Sequence, residues 1–214
     1  MGGFQKLGVS GQGADAGGEG AGLAGAEQLA GAADFHVLLG NLEDILLADD
    51  VVTSILDYLD YIVSIIPEIQ FMFGFLQKHP HHHLNVWDHT LYALSFSEKD
   101  FMIRLALLLH DSGKPFSFQE GEVRHFKNHP KVSMEITNYV LRQLSFDDDF
   151  IRDVCFIVLN HDTPIKSSLI ENNYDLALKI YKVQYCDCMA HHPEHLENRI
   201  KYLSKTREMF LRYQ

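Results

Sequence analysis

Residues 98–110, EKDFMIRLALLLH, form a run of apolar side chains too long for an ordinary strand and suited to a buried helix. A helix so apolar stays in water only if other elements cover it, so the rest of the chain has to supply that cover. Helical spacing indeed dominates the remainder. Val51, Ile55, Leu59, Ile62 and Ile66 recur at intervals of three and four, behind Asp49 or Asp50 as a cap and ahead of Pro67 as a stop. Further helices are predicted over residues 68–77, 86–95, 130–144, 148–160, 175–190 and 193–213, with Gly113 and Pro115 as stop chemistry after the buried one. The triplet Asp147, Asp148 and Asp149 opens its helix as a cap and as a complement to the dipole. Period-two alternation is scarce and no internal repeat is present. The expected fold is all-α, a single bundle of seven or eight helices around one core.

Composition divides the chain. Eleven of the fifteen glycines fall within residues 1–33, a Gly/Ala-rich stretch that cannot offset its own ordering entropy and is expected to be a flexible leader or linker. Residues 34–214 are then the folded domain. The formal charge of -11 argues against binding to duplex DNA or an anionic membrane, while leaving room for a small phosphorylated ligand at a metal cluster. No apolar window is long enough to span a bilayer, and no secretory signal is evident. Cys155, Cys186 and Cys188 lack disulfide or zinc-finger spacing, which fits a reducing cytoplasm.

Thirteen histidines in such a chain ask for a metal or acid–base explanation. His110 and Asp111 end the buried helix, where isolated ionisable groups are costly unless paired or coordinated. His89, His129, His161 and Asp187 recur at the ends or polar turns of other helical segments. Imidazoles suit a borderline transition metal, and carboxylates can bridge two cations.

This order, H…HD…H…H…D, resembles that of the HD superfamily of metal-dependent phosphohydrolases over residues 50–195. The phrases IIPEI, HHHLNVWDHTL, RLALLLHDSGKP, RHFKNHPKVS and VLNHDTPI look more narrowly like the HD domain that follows the nucleotidyltransferase core in many bacterial CCA-adding tRNA nucleotidyltransferases. The polymerase head of those enzymes has no counterpart in these 214 residues, which leaves a stand-alone relative or a separated fragment. The resemblance implies that His89, His110, Asp111 and Asp187 hold one divalent metal and His129 and His161 a second, with Asp111 bridging. Manganese, iron, nickel, zinc or magnesium all fit such a set, magnesium alone least well at the second position.

The implied activity is phosphodiester or phosphomonoester hydrolysis of a nucleotide or related small substrate by a metal-activated water. Asp111 would fix the cluster and Lys114 would neutralise phosphoryl oxygens, unless Lys114 is simply a helix-end cation. Arg124 and His125 are candidate phosphate contacts. Asp162 is a candidate for orienting an imidazole, and His81, His82 and His83 lie near the expected pocket mouth. His191, His192 and His195 more simply begin the last helix, His191 being nearest the ligands. Trp87 reads as a core anchor, Cys186 and Cys188 as packing residues. A different class of function is a tRNA-processing module acting in RNA binding or in repair of 3′ ends and 2′,3′-cyclic phosphates, through a local patch of Lys78, Arg124, Lys127 and Lys131. An inactive helical scaffold would not require the ligands.

Overall fold

A computed structural model describes residues 40–213, so the expected 1–33 leader and the 34–39 start of the domain lie outside the described residues. The fold is all-α. Its helices are α1 (40–46), α2 (Val51–Asp57), α3 (Leu59–Ile65), α4 (Val86–Ser95), α5 (Phe101–Leu109), α6 (Lys114–Ser117), α7 (His129–Gln143), α8 (Asp148–Asn160), α9 (Ser167–Asn172), α10 (Tyr174–Met189) and α11 (Leu196–Phe210). Two 3₁₀ segments, Pro67–Met72 and Pro193–His195, complete it. Among the described residues β-structure is limited to isolated bridges, Leu76 with Asn85, His79 with His82 and Gln119 with His125.

The apolar run is the axis of the bundle. Every residue of α5 from Ile103 to Leu109 is buried, and α4, α7, α8 and α10 pack around it. Asp100 starts it, its carboxylate accepting from the Ile103 N–H at 2.9 Å and pairing with Lys179 of α10. Arg104, a charge inside this apolar helix, is buried but fully engaged. It donates to Leu46 O at 2.7 Å, Ala48 O at 2.8 Å and Ser97 Oγ at 3.0 Å, so the buried cation anchors the C-terminal end of α1.

Several boundaries differ from the sequence reading. The single helix expected up to Pro67 breaks at Tyr58 (φ -108°, ψ 23°), yet Ile55, Ile62 and Ile66 still enter one core. The helix expected over 68–77 shrinks to the 3₁₀ turn, because Gly74 takes a left-handed φ of 63° and redirects the chain. α6 and α9, of four and six residues, are too short to show periodicity and raise the number of segments above seven or eight. Asp147 does cap α8, accepting from the Phe150 N–H at 2.9 Å. Trp87 is buried edge-on against Phe73. Burial pushes the Cys186 thiol up to about 12 and the Cys155 and Cys188 thiols to about 11, so all three pack as neutral groups.

Gly113 is not a left-handed helix stop, since its φ is -81°. Its role is steric. A Cβ there would lie 2.5 Å from Ser133 N and 2.7 Å from His129 O, both backbone atoms of α7, and the Gly113 N–H donates to Ser133 Oγ at 2.9 Å. The turn after α5 can therefore rest directly on α7. Gly113→Ala should destabilise the fold by about 1–3 kcal/mol through overpacking, read from denaturant midpoints. Asp100 supplies a pH test. Burial opposes its ionisation, but hydrogen bonds from Lys179 and Ile103 outweigh that and hold its carboxyl below the usual range. Its stabilisation is present above the ordinary carboxyl pKa and is lost as pH falls through the depressed one. Thermal melts between neutral pH and pH about 2 should fall less steeply for Asp100→Asn than for the parent.

Candidate metal centre

Because α5 is enclosed, the residues just beyond its end meet the ends and inner faces of its neighbours. His110 and Asp111 come from that end, His89 from α4, His129 from the first position of α7, His161 from the end of α8 and Asp187 from the last turn of α10. All six are buried, and His89, His110 and Asp111 have no exposed surface.

Four imidazoles are oriented in the same way. Nδ1–H donates to a main-chain carbonyl in each: His89 to Ala190 O at 3.2 Å, His110 to Leu107 O at 2.6 Å, His129 to Phe126 O at 2.9 Å and His161 to Val158 O at 2.6 Å. A carbonyl only accepts, so each Nδ1 carries a hydrogen and each ring turns its Nε2 inward. Those nitrogens crowd around two carboxylates. His89 Nε2 lies 2.9 Å from Asp187 Oδ1 and 3.6 Å from Asp111 Oδ2, while His110 Nε2 lies 3.3 Å from Asp111 Oδ2. His129 and His161 bring their Nε2 atoms within 3.1 Å of each other, at 3.3 and 3.8 Å from Asp111 Oδ1.

Four inward nitrogens thus crowd two carboxylates, and His110 Nε2 and both Asp111 oxygens are buried without a well-formed hydrogen bond, with Lys114 Nζ 2.6 Å from Oδ2. Such an arrangement needs positive charge at its centre. Two donor groups fit divalent cations: His89, His110 and Asp111, and Asp111, His129 and His161, each with ligand atoms within 4.8 Å of one another. Asp111 belongs to both, Oδ2 turned to one and Oδ1 to the other. The same imbalance governs titration. Burial opposes a charge on His110, but Asp111 and Asp187 raise its pKa to about 10. Burial and the charges on His110 and His129 lower that of His161 to about 3. Burial alone would raise Asp111 and Asp187, yet the fields of His110 and Lys114 on the first, and of His191 with hydrogen bonds from His110 and His89 on the second, hold both well below the usual carboxylate range.

A cavity of about 610 Å³ opens over Asp111, His129, His161 and Asp187. Lys114 is buried in its wall, its Nζ donating to Gln77 Oε1 at 2.8 Å and lying 2.6 Å from Asp111 Oδ2. Arg124 and His125 also line it. The Arg124 guanidinium is held between Phe75 and Phe118, with bonds to Glu120 Oε2 at 2.7 Å and Leu76 O at 2.5 Å. His81 and His82 also line the cavity, facing His195 and His191 with ring centroids 4.6 and 4.5 Å apart, whereas His83 lies outside that lining and packs on His192 at 5.4 Å. Of the basic patch, Lys78 and Arg124 share Glu120, and Lys131 approaches Glu135 at 3.9 Å.

The sequence reading missed two residues. Gln77, buried beside Lys114, has no motif signal. Arg199 of α11 donates to Asp187 Oδ2 at 3.1 Å and to Asp162 Oδ1 at 3.0 Å, so Asp162 meets this arginine rather than an imidazole. In sequence Arg199 looks like any charge on an exposed helix. Adding Mn²⁺ or Zn²⁺ to chelator-stripped protein should raise its melting temperature, as mass action requires of a ligand that binds only the folded state. His161→Ala should weaken that response and Asp111→Ala should remove it, since only Asp111 serves both groups.

A sequence model of the HD domain matches residues 81–201, a span that contains all six residues of the cluster. The chain is 34% identical over 104 residues to the CC-adding tRNA nucleotidyltransferase of Thermus thermophilus, covering 45% of this chain and 24% of that protein. It is 32% identical over 88 residues to the A-adding tRNA nucleotidyltransferase of Deinococcus radiodurans, covering 37% of this chain and 20% of that protein. The match therefore spans less than a quarter of either relative.

Proposed function

The chain belongs to the HD domain family, a superfamily of metal-dependent phosphohydrolases, and on that premise we propose that it hydrolyses a phosphoester bond of a nucleotide or related small phosphorylated substrate. One observation carries this reading: two buried donor groups share a single carboxylate at the floor of an open cavity, with a lysine beside it. His89, His110, Asp111 and Asp187 would hold one divalent ion, and Asp111, His129 and His161 a second. The bound ions would supply Lewis acidity, lowering the pKa of water and drawing charge from phosphoryl oxygens. Imidazole-rich coordination favours manganese, iron, nickel or zinc over magnesium.

The protein's own groups do the rest. Main-chain carbonyls hold four imidazoles with Nε2 turned inward, the orientation a ligand needs. Gln77 holds Lys114 Nζ at the cavity wall, where the ammonium is a ready point charge for a phosphoryl oxygen. His125 and Arg124 line the same cavity, Arg124 with two of its donors already engaged. The free, buried thiols agree with a reducing cytoplasm, and no described helix is long and apolar enough to cross a membrane.

A second reading follows from the names of the similar proteins: residues 34–214 as one module of a tRNA-processing enzyme, acting in RNA binding or repair of 3′ ends and 2′,3′-cyclic phosphates. Three of the four basic residues of its expected patch have carboxylate partners, which weighs against it. A phosphoester panel with Mn²⁺, together with tRNA binding at low salt, separates the two. On the leading reading Asp111→Asn loses turnover while keeping its helical circular dichroism, and Lys114→Ala lowers kcat about 10²-fold. Full activity in Asp111→Asn would falsify the mechanism.

A further inference from the structure

A second, smaller cavity of about 140 Å³ adjoins the first. The two share His161, Asp162, Asp187 and Arg199, so the small one opens beside the cluster itself. The Arg199–Asp162 ion pair, 3.0 Å between Nη2 and Oδ1, stands in the wall common to both. Behind it the lining turns apolar, with Pro164, Leu203 and the neutral Cys188 thiol.

The polar groups of this lining are already bonded to one another. Gln184 Nε2 donates to Asn160 O at 3.0 Å and Thr163 O at 2.7 Å. Tyr202 OH donates to Gln184 Oε1 at 3.3 Å and accepts from the Ile165 N–H at 3.0 Å. Gln184 and Tyr202 thus brace α10, α11 and the loop after α8 into one wall. That wall recognises by shape, since its side-chain donors and acceptors are spent internally. Size then limits the occupant, because an apolar cavity of about 150 Å³ holds one benzene ring.

We infer that this pocket is a ring subsite: it takes a single six-membered heteroaromatic ring, a pyrimidine base, from a substrate whose phosphate lies over Asp111. The inference rests on the hydrolase reading for the phosphate but not for the ring. A fused purine is expected to be the poorer fit, since its second ring would have to leave the pocket for the larger cavity. Leu203, buried in the pocket wall, sets its depth.

The test uses the full chain loaded with Mn²⁺ and two independent readouts. Thermal shifts with uridine and adenosine, which carry no phosphate, report the ring alone. Values of kcat/KM for uridine 5′-monophosphate, adenosine 5′-monophosphate and ribose 5-phosphate report its coupling to hydrolysis. Uridine should raise the melting temperature and adenosine should not, and the uridine nucleotide should be turned over about ten-fold better than the other two. Leu203→Phe should erase the uridine shift, whereas Leu203→Ala should admit adenosine. Opposite effects from one position are not what general destabilisation produces, and Leu203→Ala decides the matter if the phenylalanine variant does not fold. Equal shifts for both nucleosides, or a uridine shift that survives in folded Leu203→Phe, overturns the subsite. Turnover of all three phosphoesters at one rate overturns it while leaving the hydrolase reading standing. A uridine-specific shift with no turnover of any phosphoester does the reverse.

Discussion

Asp111 is a carboxylate with no exposed surface, buried among four imidazoles and one ammonium, and much of the bundle is arranged around that fact. A charge so placed persists only with compensating charge beside it. Lys114 supplies part, at 2.6 Å from Oδ2. The inward Nε2 atoms of His89, His110, His129 and His161 supply the rest only when protons or cations join them, because neutral rings offer lone pairs to an anion. A cation bound here would be coupled to fold stability through this one side chain.

Holding four rings in place requires supports that do not move. α5 is enclosed on all sides, and its internal charge, Arg104, closes the far end by bonding to the carbonyls that finish α1. At the near end Gly113 lets the turn after Asp111 sit against the backbone of α7 at Ser133 and His129. That contact sets the distance between the His110–Asp111 pair and His129, and so between the two donor groups. Side-chain volume at a position with ordinary backbone angles therefore bears on the site's geometry.

Much of this was legible in the sequence. Spacings of three and four at Ile55, Leu59 and Ile62 announced helices, and the length of FMIRLALLL announced a buried one. The all-α class and the family followed from patterns that are local or ordered along the chain. What escaped depends on contacts between distant segments. The break at Tyr58 and the short α6 and α9 leave no periodic trace. Gly113 carries a stop signal in sequence, yet its need is set by Ser133, twenty residues later. Gln77 and Arg199 are single polar residues whose partners lie on other elements, Lys114 for one and Asp187 and Asp162 for the other. Residue types pointed to the members of the cluster, and only the fold revealed what braces it.

Arg199 also shows why the charge of -11 is a poor guide to the site. Asp187 divides its oxygens, Oδ1 toward His89 and Oδ2 toward Arg199, much as Asp111 divides its own between two donor groups. Arg199 neutralises the outward oxygen without approaching the inward one, so Asp187 keeps a free ligand atom while its orientation is fixed from α11. The same guanidinium reaches Asp162, which draws the end of α8 and the C-terminal helix to the cavity together. Acidic residues of this kind are spent on the architecture of the centre, and the field over the cavity is set by Lys114, Arg199 and whatever cations the imidazoles hold.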